Sequence, residues 1–207
     1  MGLSKRLNRF SQFYCNHSYI WDIGCDHGLL GMSFLNQPAV KQINLVDPAL
    51  PVIKKLKDSY ITIPKINIIH NKGQNLIIPN SNQNSLYIAG MGGLEMREIL
   101  QKLLPQLGRE DRILISPHRH ILELRKYLQG SPFRLVEEGV VEEAGHFYPY
   151  LYLAQDARFA EVSLYGEQMW QGEEGQKYLS YLIGHLSCHK NLASQAYLNH
   201  LKGLISP

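Results

Sequence analysis

Five short apolar runs constrain the fold of this chain more than any other feature: YIWDIG (19–24), QINLVD (42–47), INIIHN (66–71), SLYIAG (85–90) and RILISP (112–117). They carry β-branched or aromatic residues and are bounded by Gly, Pro, Asn or Asp, as strands are. Apolar and polar residues do not alternate cleanly within them, which suits strands covered on both faces. Helical patterns lie between them. GLLGMSFLN (28–36) follows the first run, and LPVIKKLKDSY (50–60) follows the second, with Pro51 in a first helical turn. LEMREILQKLL (94–104) follows the fourth and places apolar residues at 96, 99, 100, 103 and 104 on one face. HILELRKYLQG (120–130) follows the fifth and stops at Gly130. This alternation predicts repeated βαβ units, hence an α/β fold with a mostly parallel, doubly wound sheet.

The alternation ends at 133. FRLVEEGVVEEAGHFYPYLYLAQ (133–155) reads as two strands with no helix between them, an antiparallel hairpin closing one end of the sheet. Beyond it the strand signals stop. Leu179, Leu182, Ile183 and Leu186 form one apolar helix face, and Leu192, Ala196 and 198–201 form a second, less regular one. Two helices, or one broken near 187–191, are expected. The chain is therefore divided into a core domain, 1–160, and a helical, coiled-coil-like extension, 161–207.

With 44% hydrophobic and 19% charged residues, this is an ordinary globular composition. No apolar run approaches the roughly 18 residues of a membrane span. MGLSKRLNRF lacks the apolar core of a signal peptide. Cys15, Cys25 and Cys188 are odd in number, far apart and without CxxC pairing, which argues against a disulfide framework or a zinc site. A cytoplasmic protein without a membrane partner is expected. The net charge of +3 permits a polyanionic partner without demanding one.

The chemistry is concentrated where the strands end, since doubly wound folds bind ligands at the carboxyl ends of their strands. The first run ends in Asp22-x-Gly24-x-Asp26-x-Gly28. Gly24 permits a sharp turn, and Gly28 permits close approach at a helix start. A dinucleotide pyrophosphate wants bare N–H groups there. Two carboxylates beside it are unfavourable, which argues against a nicotinamide dehydrogenase, as does the terminal hairpin. A cofactor with a cationic amino-acid part, such as S-adenosylmethionine with its sulfonium and ammonium, tolerates them well. Asp47 ends the second run, nineteen residues after Gly28, and is placed to accept hydrogen bonds from ribose hydroxyls. It also reads as a turn residue before Pro48. IAGMGG (88–93) leaves the fourth run with three glycines in four positions, either a tight turn or room for a flat base beside Ala89. SPHRH (116–120) brings His118, Arg119 and His120 to the same edge, with no acid or cysteine at metal-ligand spacing. Near the N-terminus, Lys5 and Arg9 share a helix face beside Arg6, a short basic patch for phosphates or merely for solvent.

Taken together, LSKRL (3–7), DIGCDHG (22–28), IAGMGG (88–93), SPH (116–118) and HFYPYLYL (146–153) resemble the bacterial tRNA adenine-22 N1-methyltransferases. These are S-adenosylmethionine-dependent class I enzymes with a Rossmann-like fold and a C-terminal helical extension. The order and spacing agree from residue 3 to about 155. The resemblance implies a cofactor site formed by Asp22, Gly24, Cys25, Asp26, Gly28 and Asp47, by Gly73, Gln74 and Asn75, and by Ala89, Gly90 and Met91. It implies chemistry at Asp26, His27, Met91 and His118. It implies tRNA contacts from Lys5, Arg6, Arg9, Gly92, Gly93, His118, Arg119, Arg125 and Tyr148. No metal is implied. The family's acidic residue after the third strand is absent from NKGQNL (71–76), so Gln74 or Asn75 takes its place toward the cofactor's adenine. His118 stands where the family has Asn. The expected activity is methyl transfer to N1 of a tRNA adenine by a monomer or weak homodimer. A non-catalytic relative that kept the fold, or a methyltransferase for another RNA or a small molecule, is the alternative.

Overall fold

The structure is a computed structural model that describes residues 2–80, 83–188 and 192–204, with side chains from 195 onward in the last segment. Seven strands form one sheet in the order β3-β2-β1-β4-β5-β7-β6. They are β1 (Tyr19–Ile23), β2 (Gln42–Asp47), β3 (Ile66–His70), β4 (Asn84–Met91), β5 (Arg112–Pro117), β6 (Arg134–Glu143) and β7 (His146–Ala154). The first five are parallel, and β7 runs antiparallel between β5 and β6. This is the mostly parallel sheet with a terminal hairpin that the sequence predicts. The order reverses at β1, which pairs with β2 on one side and β4 on the other.

Successive strand residues point to opposite faces, so each strand feeds two cores. Trp21, Ile23, Leu86, Ile88, Ile113 and Ile115 join one apolar cluster, while Ile20, Ile43, Leu45, Tyr87 and Leu114 join the other. This two-sided burial explains why the strands read as continuous apolar runs. Helix α3 (Leu50–Tyr60) buries Ile53 and Leu56, and helix α4 (Gly93–Leu103) buries Met96, Ile99, Leu100 and Leu103.

The first crossover helix is shorter than its pattern predicts. Helix α2 is only Leu29–Met32. Beyond it, Phe34, Leu35 and Gln37 donate to carbonyls three residues back, and the Ser33 hydroxyl donates to the Leu30 carbonyl at 2.6 Å. That local competition for backbone acceptors ends the α-helix early.

The N-terminal helix α1 (Lys5–Ser11) lies against β6, with Ser4 as its cap and Phe10 fully buried. Helices α5 (Ile121–Leu128), α6 (Gly172–Ser187) and α7 (Leu192–Gly203) complete the chain. Of the break expected at 187–191, residues 189–191 lie outside the described ones. Val162, Met169, Trp170, Leu179 and Leu201 share the apolar cluster of the sheet, so the C-terminal helices rest on it directly. No helix among the described residues is long and apolar enough to cross a membrane.

Candidate functional site

The carboxyl ends of β1, β4 and β5 surround a pocket of about 340 Å³, lined by Asp22, Gly24, Cys25, Asp26, Ala89 and Gly90 from the sheet side. Arg6, Leu7, His27, Leu29, Leu30 and His118 complete the wall.

Asp22 is 5% exposed, and its Oδ2 accepts the Gly31 N–H at 2.8 Å. Burial, with the nearby Asp47 charge adding to it, pushes the Asp22 carboxyl up to about 7, while the Gly31 hydrogen bond opposes the rise. A carboxylate that costly to ionise is relieved by a cation placed in the pocket. Asp47 is oriented by two backbone donors, Ala49 N–H on Oδ1 at 2.8 Å and Asp26 N–H on Oδ2 at 3.2 Å. Asp47 is thus the turn residue before Pro48; it is buried and does not line the pocket among the described residues, although it fastens the Asp26 backbone that does. Above β1, Gly24 and Cys25 donate to the Val46 carbonyl, which locks the loop to β2.

The backbone explains the residue types. Gly24, Asp26 and Gly28 all have positive φ, at 73°, 48° and 69°. Asp tolerates that region better than most residues with a side chain. At Gly24 an added Cβ would meet Met91 Cε at 2.5 Å, so the Met91 side chain lies over this turn. At Gly28 it would meet Leu45 at 2.9 Å, so this glycine serves helix-to-strand packing. Gly90, at φ 83°, sits in a β-bulge where the β4–β5 register shifts between Ala89 and Met91. The bulge re-aims the end of β4, and the Met91 carbonyl then accepts the His118 N–H at 3.0 Å. Gly93 donates to the Arg119 carbonyl at 2.8 Å, and a Cβ there would meet the His120 carbonyl oxygen at 2.4 Å. Gly92, the residue before α4, lies beside the Arg119 side chain. Gly92 and Gly93 thus dock α4 onto the loop after β5.

Asp26 and His27 are exposed and paired, His27 Nδ1 lying 2.8 Å from Asp26 Oδ1. Burial pushes the Cys25 thiol up, and the charges of Asp22 and Asp47 add to the shift, so it stays protonated and inert. The His118 pKa is lowered, first by the partial burial of its ring and then by the charges of Arg6, Arg119 and His146. The ring meets Tyr148 edge-on at 5.7 Å, and Arg6 stacks over the same Tyr148 at 4.5 Å.

Several expected residues stand elsewhere. Arg125, expected to contact phosphate, is 1% exposed and pairs with the buried Glu138 at 2.6 Å. Its stem sits on the buried face of α5, so it is a core residue rather than a nucleic-acid contact. Lys5 is engaged by Glu174 of α6, and Arg9 by Glu137 and the Tyr150 hydroxyl. Both fasten α1, which leaves Arg6 as the member of that patch facing the pocket. Gly73, Gln74 and Asn75 form a 3₁₀ turn beside α4, in which Gly73 is buried against Ile23 and Ile99. They do not line the pocket among the described residues.

A second cavity of about 970 Å³ adjoins the first through His118. It lies between the loop after β5, the β6–β7 turn and the faces of α6 and α7. None of the tyrosines described in its lining stands at the carboxyl end of a strand: Tyr178, Tyr181 and His185 fall at helical spacing on α6, beside the apolar face formed by Leu179, Leu182 and Leu186.

Residues 3–151 match the family model described as a methyltransferase domain. The tRNA (adenine(22)-N(1))-methyltransferase of Bacillus subtilis is 29% identical over 172 residues, 79% of this chain and 71% of the relative. A Mycoplasma pneumoniae protein provisionally named a tRNA methyltransferase is 33% identical over 158 residues, 73% of this chain and 70% of its own length. The structure of M. capricolum TrmK in complex with the cofactor product S-adenosyl-homocysteine superposes with a TM-score of 0.77 at 20% identity, covering 98% of this chain and 97% of that one. With a glycine-turned acidic pocket at the switch point of the sheet and a family match across its core, this chain belongs to the methyltransferase domain family, among the TrmK-like class I enzymes.

Proposed function

We propose that this chain methylates N1 of an adenine in tRNA, using S-adenosylmethionine, in the cytoplasm and as a monomer or weak homodimer. The observation that carries the reading is the glycine-turned pocket at the carboxyl ends of the strands, with the Asp22 carboxylate buried in its wall and held by the Gly31 N–H. The residues present fit such a cofactor: Asp22 and Asp26 line the pocket and suit its cationic amino-acid end, and the buried Asp47 behind them holds the Asp26 backbone in place. When bound, the cofactor supplies a methyl carbon on a sulfonium: the N1 lone pair of adenine forms the new bond, the S–CH₃ bond breaks, and a neutral thioether and a cationic base result.

The protein's share is placement and charge. Adenine N1 is already an unprotonated nucleophile at neutral pH, so no general base is needed, and in-line positioning supplies much of the rate. Ala89 and the bulged Gly90 leave space for a flat ring beside the pocket. The His118 pKa is lowered by partial burial and then by its cationic neighbours, which disfavours a further positive charge beside the base as it becomes cationic. The Asp26 carboxylate at the rim stabilises that charge. The target edge is hidden in a paired base, so the RNA presents this adenine unpaired.

The test is nucleoside mass spectrometry of tRNA from cells with and without this protein, together with methylation of unmodified tRNA by the purified chain. 1-Methyladenosine is expected to vanish from tRNA in the deleted strain. An unchanged modification profile together with no transfer in vitro would exclude the assignment.

A further inference from the structure

The cavity beside the transfer pocket is built from flat rings. Phe147, on the β6–β7 hairpin, lies 5.4 Å from Tyr178 and 5.5 Å from Tyr181 of α6. The Tyr178 and Tyr181 planes are inclined by 17°, and those of Tyr181 and His185 by 9°. Tyr178 is buried at the base of this cluster, Phe147 is tilted by 38° and 40° to the two tyrosines, and Tyr181, nearly parallel to His185, is 54% exposed. Burying a tyrosine would be the ordinary use of its area, so the open Tyr181 ring stands ready for a flat partner. The polar rim is cationic or neutral: Arg119 and four histidines line the cavity, and Glu123 is the single acid among its described lining residues. At about 970 Å³ the cavity has room for more than one planar ring, being near the top of the roughly 300–1,000 Å³ range of small-ligand sites. It opens onto the transfer pocket at His118, and the guanidinium of Arg6 lies at that junction with its Nε lacking a hydrogen-bond partner among the described residues.

We propose that this groove is a stacking platform for the unpaired nucleotides next to the methylated base, with Tyr181, His185 and Phe147 taking base faces and Arg119 a phosphate. The inference rests on the RNA-methylating role proposed above and names how that RNA is held. Bases of any identity stack on aromatic rings, so the platform fixes the strand without reading its sequence. Its continuity with the pocket explains how an extruded adenine keeps its neighbours ordered while it enters.

The test uses a short single-stranded RNA containing 2-aminopurine, whose fluorescence falls on stacking, titrated with the full chain and with Tyr181→Ala and Tyr181→Phe. The wild type is expected to bind and quench. Tyr181→Ala should weaken binding by roughly 5- to 100-fold, and Tyr181→Phe should stay within about two-fold. S-adenosylmethionine affinity, measured by calorimetry, should be unchanged in both, which separates a lost contact from a lost fold. Absence of quenching by the wild type, equal binding by Tyr181→Ala, or equal loss in Tyr181→Phe would overturn the platform. Methylation of tRNA by the wild type is scored separately. Quenching without methylation removes the enzymatic reading alone, and methylation with an unimpaired Tyr181→Ala removes the platform alone.

Discussion

The two cavities that meet at His118 are made from different material. The transfer pocket is built by backbone: three residues with positive φ in one turn, a bulge at Gly90, and carboxylates held by N–H groups. The groove beside it is built by side chains brought together from a hairpin turn, a loop and two C-terminal helices. One is acidic and suits a cation, and the other is aromatic with a basic rim and suits flat rings joined by phosphates. Moving a methyl from a cationic donor to a nucleobase requires both environments within a few ångströms of each other. They are separable, so a substitution in one should leave the other's ligand untouched.

The largest effect should fall on the platform behind the groove. Arg125 and Glu138 are both buried, and Glu138 Oε1 also accepts the Gln168 and Met169 N–H groups that lead into α6. Arg125→Ala strands a carboxylate in the core, which costs about 3–5 kcal/mol. Chemical denaturation should show that loss. If Arg125 were instead a phosphate contact, stability would hold and only RNA affinity would fall.

Next comes the pocket floor. Asp22→Asn keeps an acceptor for the Gly31 N–H but removes the charge, and S-adenosylmethionine affinity should fall on the order of 100-fold, as expected for a buried charge interaction. RNA binding in the groove should not change. Calorimetry with normal cofactor affinity would sink the assignment of Asp22.

The same residue predicts a pH dependence of opposite sign to that of an ordinary paired carboxylate. Its folded pKa, about 7, lies above its unfolded value of 3.8. Between those values the folded state holds a proton that the unfolded state has released, so the stabilising contribution of Asp22 is complete below pH 4 and is lost as pH rises through 7. Between pH 5 and pH 8 the ligand-free protein should lose about 2–3 kcal/mol from this group. Melts of wild type and Asp22→Asn at the two pH values isolate it, since the variant should lack that slope. Cofactor should counteract the loss by favouring the anion.

The contrast in construction also decides what could be read before any coordinates. The pocket was legible because its requirements are local. A turn at φ 73° suits glycine at 24, and Asp22 and Asp26 flank that turn at the end of β1. Asp22 and Asp26 could therefore be placed at the pocket from spacing alone, whereas Asp47, also at a strand end, does not line it among the described residues. The groove was not legible, because Phe147 and Tyr181 are thirty-four residues apart and meet only through the packing of α6 on the hairpin. Basic residues misled for a related reason. A sequence shows that Arg125, Lys5 and Arg9 carry charge but not that Glu138, Glu174 and Glu137 already meet it. In the same way, Gly73 looked like a ligand position, yet its missing Cβ makes room for Ile23 and Ile99.

Arg6 gives the smallest and sharpest test, because it lines the transfer pocket and stacks on Tyr148 of the groove. Its guanidinium covers the Tyr148 ring, lines the transfer pocket and lowers the His118 pKa. Arg6→Ala should weaken tRNA binding by roughly 3- to 10-fold and reduce the salt dependence of binding by about one phosphate contact. Cofactor affinity should move little, because the acidic floor does not depend on Arg6. The His118 pKa should rise once the neighbouring cation is gone, which NMR titration of the ring reads directly. Arg6→Lys should preserve the salt slope, since the charge stays, while losing part of the stack on Tyr148. Lys5→Ala is the control, for Lys5 is already held by Glu174, and its removal should change the salt slope less than that of Arg6. An equal change in the two variants would mean that the basic patch acts as a diffuse field, and the boundary drawn between pocket and groove at Arg6 would have to be given up.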